Sequence, residues 1–329
     1  MKILILRFSS IGDIVLTTPV IRCLKQTVKE AEIHYCTKRR YQELIMHNPY
    51  IDKCHYLDDS LNQLVGQLRS EQYDLIIDLH NSLRTSLIKS LLGKRAFSVN
   101  KINIQKWLYV RFKLDVMPSV HIVDRYMDAL KELGVANDGE GLDYFIGADE
   151  YIPMSQLPPT HQSSYVAYAL GGQHATKRLP VDQMIKLCRQ IGRSIVLLGD
   201  QHDREAGEVI RHALGDDLIF NACDLFTINQ SASLIEQAQV VFSHDTGLMH
   251  IAAAFKKPIV SIWGSTTPQL GMYPYKTRHL IVENANLSCR PCSKIGHKQC
   301  PLGHFKCMND LSFTLDPAFI WSNAKQNHY

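Results

Sequence analysis

Three segments combine charged, hydroxyl and glycine residues in patterns that suit an anionic ligand and a proton transfer. The first is Arg7-Phe8-Ser9-Ser10-Ile11-Gly12-Asp13, at the end of an apolar run. If that run is a buried strand, Gly12 allows a tight turn or a close backbone approach, and Asp13 points into the cleft at the strand's end. Asp13 as a helix cap, with Ser9-Ser10 an ordinary turn, fits the same residues. A single Gly is not the Gly-x-Gly-x-x-Gly dinucleotide fingerprint. The second is Ser243-His244-Asp245-Thr246-Gly247-Leu248-Met249-His250, which follows another apolar run and opens a helix of small residues. A helix N-terminus offers free N–H groups and partial positive charge to a phosphate. Thr246 adds a hydroxyl, and Gly247 removes a side chain that would block the ligand. The plainer alternative is an Asp-capped buried helix with His250 on its face. The third is Leu170-Gly171-Gly172-Gln173-His174-Ala175-Thr176-Lys177-Arg178-Leu179-Pro180. A Gly pair followed by Thr-Lys-Arg suits a diphosphate, although the P-loop order is absent. A solvated basic loop ahead of a helix would read the same way. Function is favoured because this loop and Asp245 would share one rim of a sheet.

Three further features carry less chemistry. Asp203, in Gly199-Asp200-Gln201-His202-Asp203-Arg204-Glu205, could take ribose hydroxyls, or simply enrich a helix start in acid. Residues 94–113 hold six cations and no acid, among them Lys101, Lys106 and Arg111, interleaved with Phe97, Trp107, Tyr109 and Phe112. Such a run suits an anionic acceptor or a lipid headgroup layer, or is a solvated face. Cys289, Cys292, Cys300 and Cys307 begin with a metal-like Cys-x2-Cys, but the second half departs from the zinc pattern. Free thiols packing a small loop-rich unit fit equally. The sequence contains no Asp-x-Asp clip for a metal-bound nucleotide, no Gly-x-Ser-x-Gly elbow and no His-Glu-x-x-His pair.

The elements that must position these residues read as strand, turn and helix in alternation. Strands are expected at residues 2–8, 32–37, 73–79, 165–170, 194–198, 218–221, 240–243 and 258–263. Helices are expected at 14–28, 40–47, 83–92, 181–191 and 246–255, with another ending at Gly134. Residues 149–163 hold Pro153, Pro158 and Pro159 without periodicity and read as a linker. The expectation is an α/β chain of two Rossmann-like, doubly wound parallel-sheet domains, residues 1–155 and 156–329, facing a cleft.

Bulk composition agrees with this. The chain has 329 residues, 45% of them hydrophobic, enough for two ordinary cores. Its formal charge of +4 suits an anionic substrate or loose membrane contact and is too small to argue for nucleic acid. No signal peptide or membrane-spanning run is apparent, and nine cysteines without a secretory signal point to a reducing, cytoplasmic setting.

Taken in order, these segments resemble glycosyltransferase family 9, the ADP-heptose:lipopolysaccharide heptosyltransferases. Leu4-Ile5-Leu6-Arg7-Phe8-Ser9-Ser10-Ile11-Gly12-Asp13 resembles the family's opening. The segment from Ser243 to His250, with Ala252-Ala253-Ala254 and the run at 258–264, resembles its donor-binding region, and Gly171 to Pro180 its phosphate loop. The resemblance implies a GT-B fold and an inverting transfer of a heptose from ADP-heptose without a metal or other cofactor. It implies a lipid A–Kdo acceptor in the inner core of lipopolysaccharide, met at the inner face of the inner membrane by a monomer. It places Asp13 as base with Arg7 beside the reacting centre, and Lys177, Thr246 and Gly247 on the diphosphate. Asp245 then meets the donor sugar, with Gly171, Gly172, Thr176, Asp203, Leu248 and His250 around the donor. Ser10, Gly12, Lys101, Lys106 and Arg111 fall on the acceptor side. Gly171-Gly172 stands where some members have hydroxyl residues. Two other readings remain: a nucleotide-sugar epimerase of the same architecture, and a non-catalytic protein whose cysteines bind zinc for assembly.

Overall fold

A computed structural model describes residues 1–321. The first half contributes β1 (Lys2–Leu6), α1 (Ile11–Val15), α2 (Thr18–Thr27), β2 (Glu32–Lys38), β3 (Lys53–Leu57), α3 (Leu61–Ser70), β4 (Leu75–Asp78), α4 (Leu83–Leu92) and β5 (Arg95–Ser98). Helices α5 (Asn103–Phe112) and α6 (Ile122–Asp128) follow. The second half contributes β6 (Val166–Ala169), α7 (Val181–Ile191), β7 (Ile195–Leu198), α8 (Arg204–Leu214), β8 (Ile219–Asn221), α9 (Ile228–Gln237), β9 (Val241–His244), α10 (Gly247–Ala254), β10 (Ile259–Trp263) and β11 (His279–Glu283). Two short helices, α11 (Lys306–Asn309) and α12 (Pro317–Trp321), come last.

The strands form two sheets, ordered β3-β2-β1-β4-β5 and β11-β10-β9-β6-β7-β8, and every pairing is parallel. Central strands such as Ile195–Leu198 (Ile-Val-Leu-Leu) are apolar throughout because helices cover both faces. Strand order reverses between β1 and β4 in one sheet and between β9 and β6 in the other. At such switch points a crevice opens beyond the carboxyl ends of the strands. The segments holding Asp13, Lys177 and Asp245 leave β1, β6 and β9, so each flanks a crevice.

Three expectations change. The helix expected at 14–28 is broken: the Thr17 and Thr18 hydroxyls donate to Ile14 O and Val15 O, and Pro19 opens α2 instead. The segment 149–163 is no free linker. Its three 3-10 turns bury Ile152, Leu157 and His161, and Ile152 is tied to Ser233 and Gln237 of α9. The two sheets also share one of their three apolar clusters, which runs from Ile3 and Ile5 through Leu142 and Leu157 to Val241 and Ile251, while each half keeps one of its own. Arg22, buried on α2, holds the strap between the halves by ion pairs with Asp138 and Asp143.

Candidate active site

The first half contributes a pair of opposite charges. The Arg7 guanidinium is buried at the end of β1, and its Nη2 lies 2.7 Å from Asp13 Oδ1. The remaining Arg7 donors go to Ser9 O, Leu79 O and the Tyr126 hydroxyl, which fixes the group. Asp13 is the third residue of α1, and its Oδ2 accepts from the Ser10 N–H at 3.2 Å and hydroxyl at 2.9 Å. So Asp13 does help to cap a helix, as the plainer reading had it, with Ser10 as the cap residue. Burial alone would raise its carboxyl, but Arg7 and the Ser10 donors outweigh burial and hold it below its ordinary range. Asp13 is therefore an anion at neutral pH.

In the second half, Lys177 Nζ lies 2.6 Å from Asp245 Oδ2, which also accepts from the Thr266 hydroxyl. Thr246 sits at the N-cap position of α10 without a side-chain cap bond, and the helix's first N–H groups have no partner within the helix. His244 holds the phosphate-type loop by both ends. Its Nδ1 lies 3.0 Å from Leu170 O, and its Nε2 lies 3.0 Å from the Leu179 N–H. A carbonyl can only accept and a backbone N–H can only donate, so His244 must be neutral with its proton on Nδ1. Burial agrees, pushing His244 down to about 4.

The halves meet where α1 touches α10. A Cβ on Gly247 would fall 2.5 Å from Ile11 Cγ2, and one on Gly12 would fall 2.5 Å from His250 Cδ2. These glycines thus serve the closeness of the two halves. Gly12 makes room for His250, and Gly247 for Ile11. His250 lies at this junction, close enough to Asp245 and Asp13 to feel both charges. It is buried and lowered to about 4 by burial against the opposing pull of those carboxylates, and its Nδ1 has no hydrogen-bond partner.

Gly247→Ala is expected to cost about 1–3 kcal/mol of stability by overpacking. In urea unfolding the pair Gly247→Ala with Ile11→Ala should cost clearly less than the sum of the two single changes; simple additivity would rule out the contact. His244 and His250 supply a pH prediction. Both fall from 6.5 to about 4 on folding. Below pH ~6.5 the unfolded chain takes up protons that the folded chain refuses, so stability is full above that value and falls towards pH 4. The slope is at most about 1.4 kcal/mol per pH unit for each histidine. A urea midpoint that stays flat across that window would contradict this.

Other expected residues are placed differently. The Thr176 hydroxyl donates to His297 O and accepts from His297 N–H and the Ser265 hydroxyl, so it fastens the loop and has nothing left for a donor. Asp203 is buried under Gly171 and Gly199, and its oxygens take Arg178 and the Asp200 N–H. It shapes a turn rather than reaching a ribose. Gly172 gives room to Arg178, and Leu248 packs half-buried against the shared core.

Lys101 and Lys106 stand within reach of the charges of Asp13 and Lys294, and burial, then Arg125, lowers Lys106 to about 8. Arg111 is exposed on α5 instead. Arg125 on α6 belongs to no motif that marks it in the sequence. It is buried, its Nη2 lies 3.5 Å from Leu270 O, and among the described residues its Nε and Nη1 have no hydrogen-bond partner and no carboxylate pairs with it. A buried cation left so poorly paired is costly unless an anion meets it.

The four tail cysteines are free thiols, and their sulfurs lie near enough to feel one another's charge. Among the described residues, the one group of ligand atoms within 4.8 Å of one another is His34, His55 and Glu71. The tail is instead sewn to the site, through Arg290 to Trp263, Gly264 and Thr266 and through Cys292 N–H to Ser265 O. An open hollow of about 560 Å³ lies between it and the loop, lined by Ala175, Thr176, Cys300 and Phe305 among others.

Two doubly wound parallel sheets with facing switch-point loops have the GT-B architecture of glycosyltransferases. The model of glycosyltransferase family 9 (heptosyltransferase) matches residues 61–305, and the chain belongs to that family. Lipopolysaccharide heptosyltransferase 1 of Campylobacter coli is 22% identical over 293 residues, covering 81% of this chain and 84% of that protein. Lipooligosaccharide heptosyltransferase 2 of Haemophilus influenzae is 24% identical over 302 residues, covering 82% and 85%. The fold is that of the E. coli ADP-heptose lipopolysaccharide heptosyltransferase II structure, with TM-score 0.68, 20% identity, and 94% and 98% of the two chains covered.

Proposed function

We propose that this chain transfers a heptose from ADP-heptose to a lipid A–Kdo acceptor in the inner core of lipopolysaccharide, with inversion at the anomeric carbon. The observation that carries it is the α1–α10 junction, which brings His250 close enough to both Asp13 and Asp245 to feel their charges. Relatives named for heptosyl transfer, and a fold shared with a protein named for ADP-heptose, support the choice of sugar and nucleotide.

In the proposed reaction the acceptor hydroxyl attacks the face of the anomeric carbon opposite the diphosphate. A carboxylate held below its ordinary range, near ~4 in water, cannot strip a sugar hydroxyl beforehand. Asp13 takes the proton as the new bond forms and the old one breaks. Arg7 keeps it charged and aimed. Charge arriving on the leaving diphosphate meets Lys177, Thr246 and the N–H groups opening α10, in place of a metal. The hollow beside Ala175 has room for the nucleoside. Lys101, Lys106 and Arg125 suit the carboxylates of an acidic acceptor sugar.

We further propose a monomer split near residue 155, working in the cytoplasm against the inner membrane. Ile104, Trp107, Phe112, Leu114 and Val116 are exposed on and after α5, beside Arg111 and Lys113, as a headgroup contact requires. No helix among the described residues is long and apolar enough to cross a membrane.

The test is a panel of nucleotide sugars offered with and without a Kdo-containing lipid A acceptor, following diphosphate release and acceptor mass. Release that requires the acceptor, with ADP-heptose preferred, supports the reading. Nucleotide release without acceptor would favour an epimerase.

A further inference from the structure

At the far end of the first sheet from Asp13, near the amino ends of β1 and β2, four side chains converge that the proposed reaction does not use. His34 Nδ1 and His55 Nε2 face each other at 3.2 Å, and the Tyr73 hydroxyl lies 2.9 and 3.0 Å from them. The Glu71 carboxylate completes the group, with one oxygen 3.8 Å from His34 Nδ1 and the other 3.8 Å from His55 Nε2. His34, His55 and Tyr73 are all buried.

We propose that His34, His55 and Glu71 bind a divalent transition metal of the zinc type, with the Tyr73 hydroxyl at the fourth corner. Ligands about 2.0 Å from a tetrahedral zinc lie about 3.3 Å apart, close to the spacing of the two imidazoles. The Glu71 oxygens need shift only a few tenths of an ångström. The far nitrogen of His34 lies 2.9 Å from Glu32 Oε1. A carboxylate cannot donate, so that nitrogen carries the proton and Nδ1 presents a lone pair inward, the usual support of a metal-bound histidine.

The surroundings select the kind of ion. Lys2 and Lys53 pair with Glu71, and Lys2 also pairs with Glu32, so two ammonium groups balance two carboxylates. Each Glu71 oxygen keeps a second lone pair beyond its lysine. Nearly neutral surroundings with two imidazoles suit zinc or a similar ion and not calcium or magnesium. A hollow of about 390 Å³, lined by Lys53, His55 and Glu71 among others, gives the ion a path from the surface. The ligands come from β2, β3 and the turn after α3, so the ion would fasten an edge of the sheet and leave transfer unaffected.

The test is Zn²⁺ titration of the chelator-treated full chain by calorimetry, with Co²⁺ absorption spectra alongside. Because the tail thiols could also take zinc, the Cys289→Ser, Cys292→Ser double variant is run beside the wild type. The wild type and the cysteine variant should each bind one equivalent per chain at this site. The cysteine variant's cobalt spectrum should show tetrahedral bands and no sulfur-to-metal band. Glu71→Gln, which keeps the shape, and His55→Ala should each weaken that equivalent at least tenfold. No binding to the cysteine variant, or undiminished binding to Glu71→Gln and His55→Ala, would overturn the proposal.

Discussion

Asp13→Asn is expected to lower turnover by about 10²- to 10⁴-fold, the usual worth of a positioned base, while leaving nucleotide binding near normal. Asparagine keeps the size of the side chain and can still accept from Ser10, but it cannot take up the acceptor's proton. The substitution also strips the counter-charge from a buried guanidinium. Breaking such a pair can cost about 3–5 kcal/mol of stability. Arg7 retains its bonds to Ser9, Leu79 and Tyr126, which should keep the loop in place. The check is turnover measured together with ADP titration and the thermal midpoint. Loss of turnover in a folded, ADP-binding variant fits a base. Near-normal turnover would remove Asp13 from the chemistry.

Lys177→Met is expected to raise the barrier by about 3 kcal/mol, roughly a hundredfold in rate, because one donor to the leaving group is lost. Its neighbour makes the loss worse. Without Lys177, the Asp245 carboxylate keeps only the Thr266 hydroxyl among its side-chain partners, and its uncompensated charge would repel the diphosphate. Both kcat and the donor KM should suffer. Adding Asp245→Asn to Lys177→Met should relieve part of the rise in KM. Kinetics with ADP-heptose as the varied substrate decides this, and a KM for Lys177→Met equal to that of the wild type would place the diphosphate elsewhere.

Much of this architecture was legible before the structure. Runs such as Ile195–Leu198 can only be buried strands, and their alternation with helices leaves few topologies. Edge strands were harder. Lys53–Leu57 and Arg95–Ser98 lie at sheet edges with exposed positions and show no apolar run, and the half-buried His279–Glu283 has only the short run Leu280-Ile281-Val282. Within the site, Asp13, Lys177 and Asp245 stood out because charge beside glycine at a strand's end is a local pattern. The tasks of Gly12 and Gly247 were not local. Each depends on a side chain from the other half, more than 200 residues away in sequence. His244 read as one more histidine in a motif, and only its bonds to Leu170 and Leu179 show that it clasps the loop. Arg125 lies in an ordinary amphipathic helix, and burial without an acid partner is visible only in three dimensions. The cysteine-rich segment is held down by Arg290 and Thr176, contacts that no local spacing announces.

In the proposed reaction Lys177 and the start of α10 do for the diphosphate what a metal does elsewhere. The most direct measurement is the rate of acceptor-dependent ADP release by the wild-type chain in excess EDTA, compared with the rate in millimolar Mg²⁺. Equal rates, both falling about a hundredfold in Lys177→Met, are expected. A rate that vanishes in EDTA and returns with Mg²⁺ would contradict the claim.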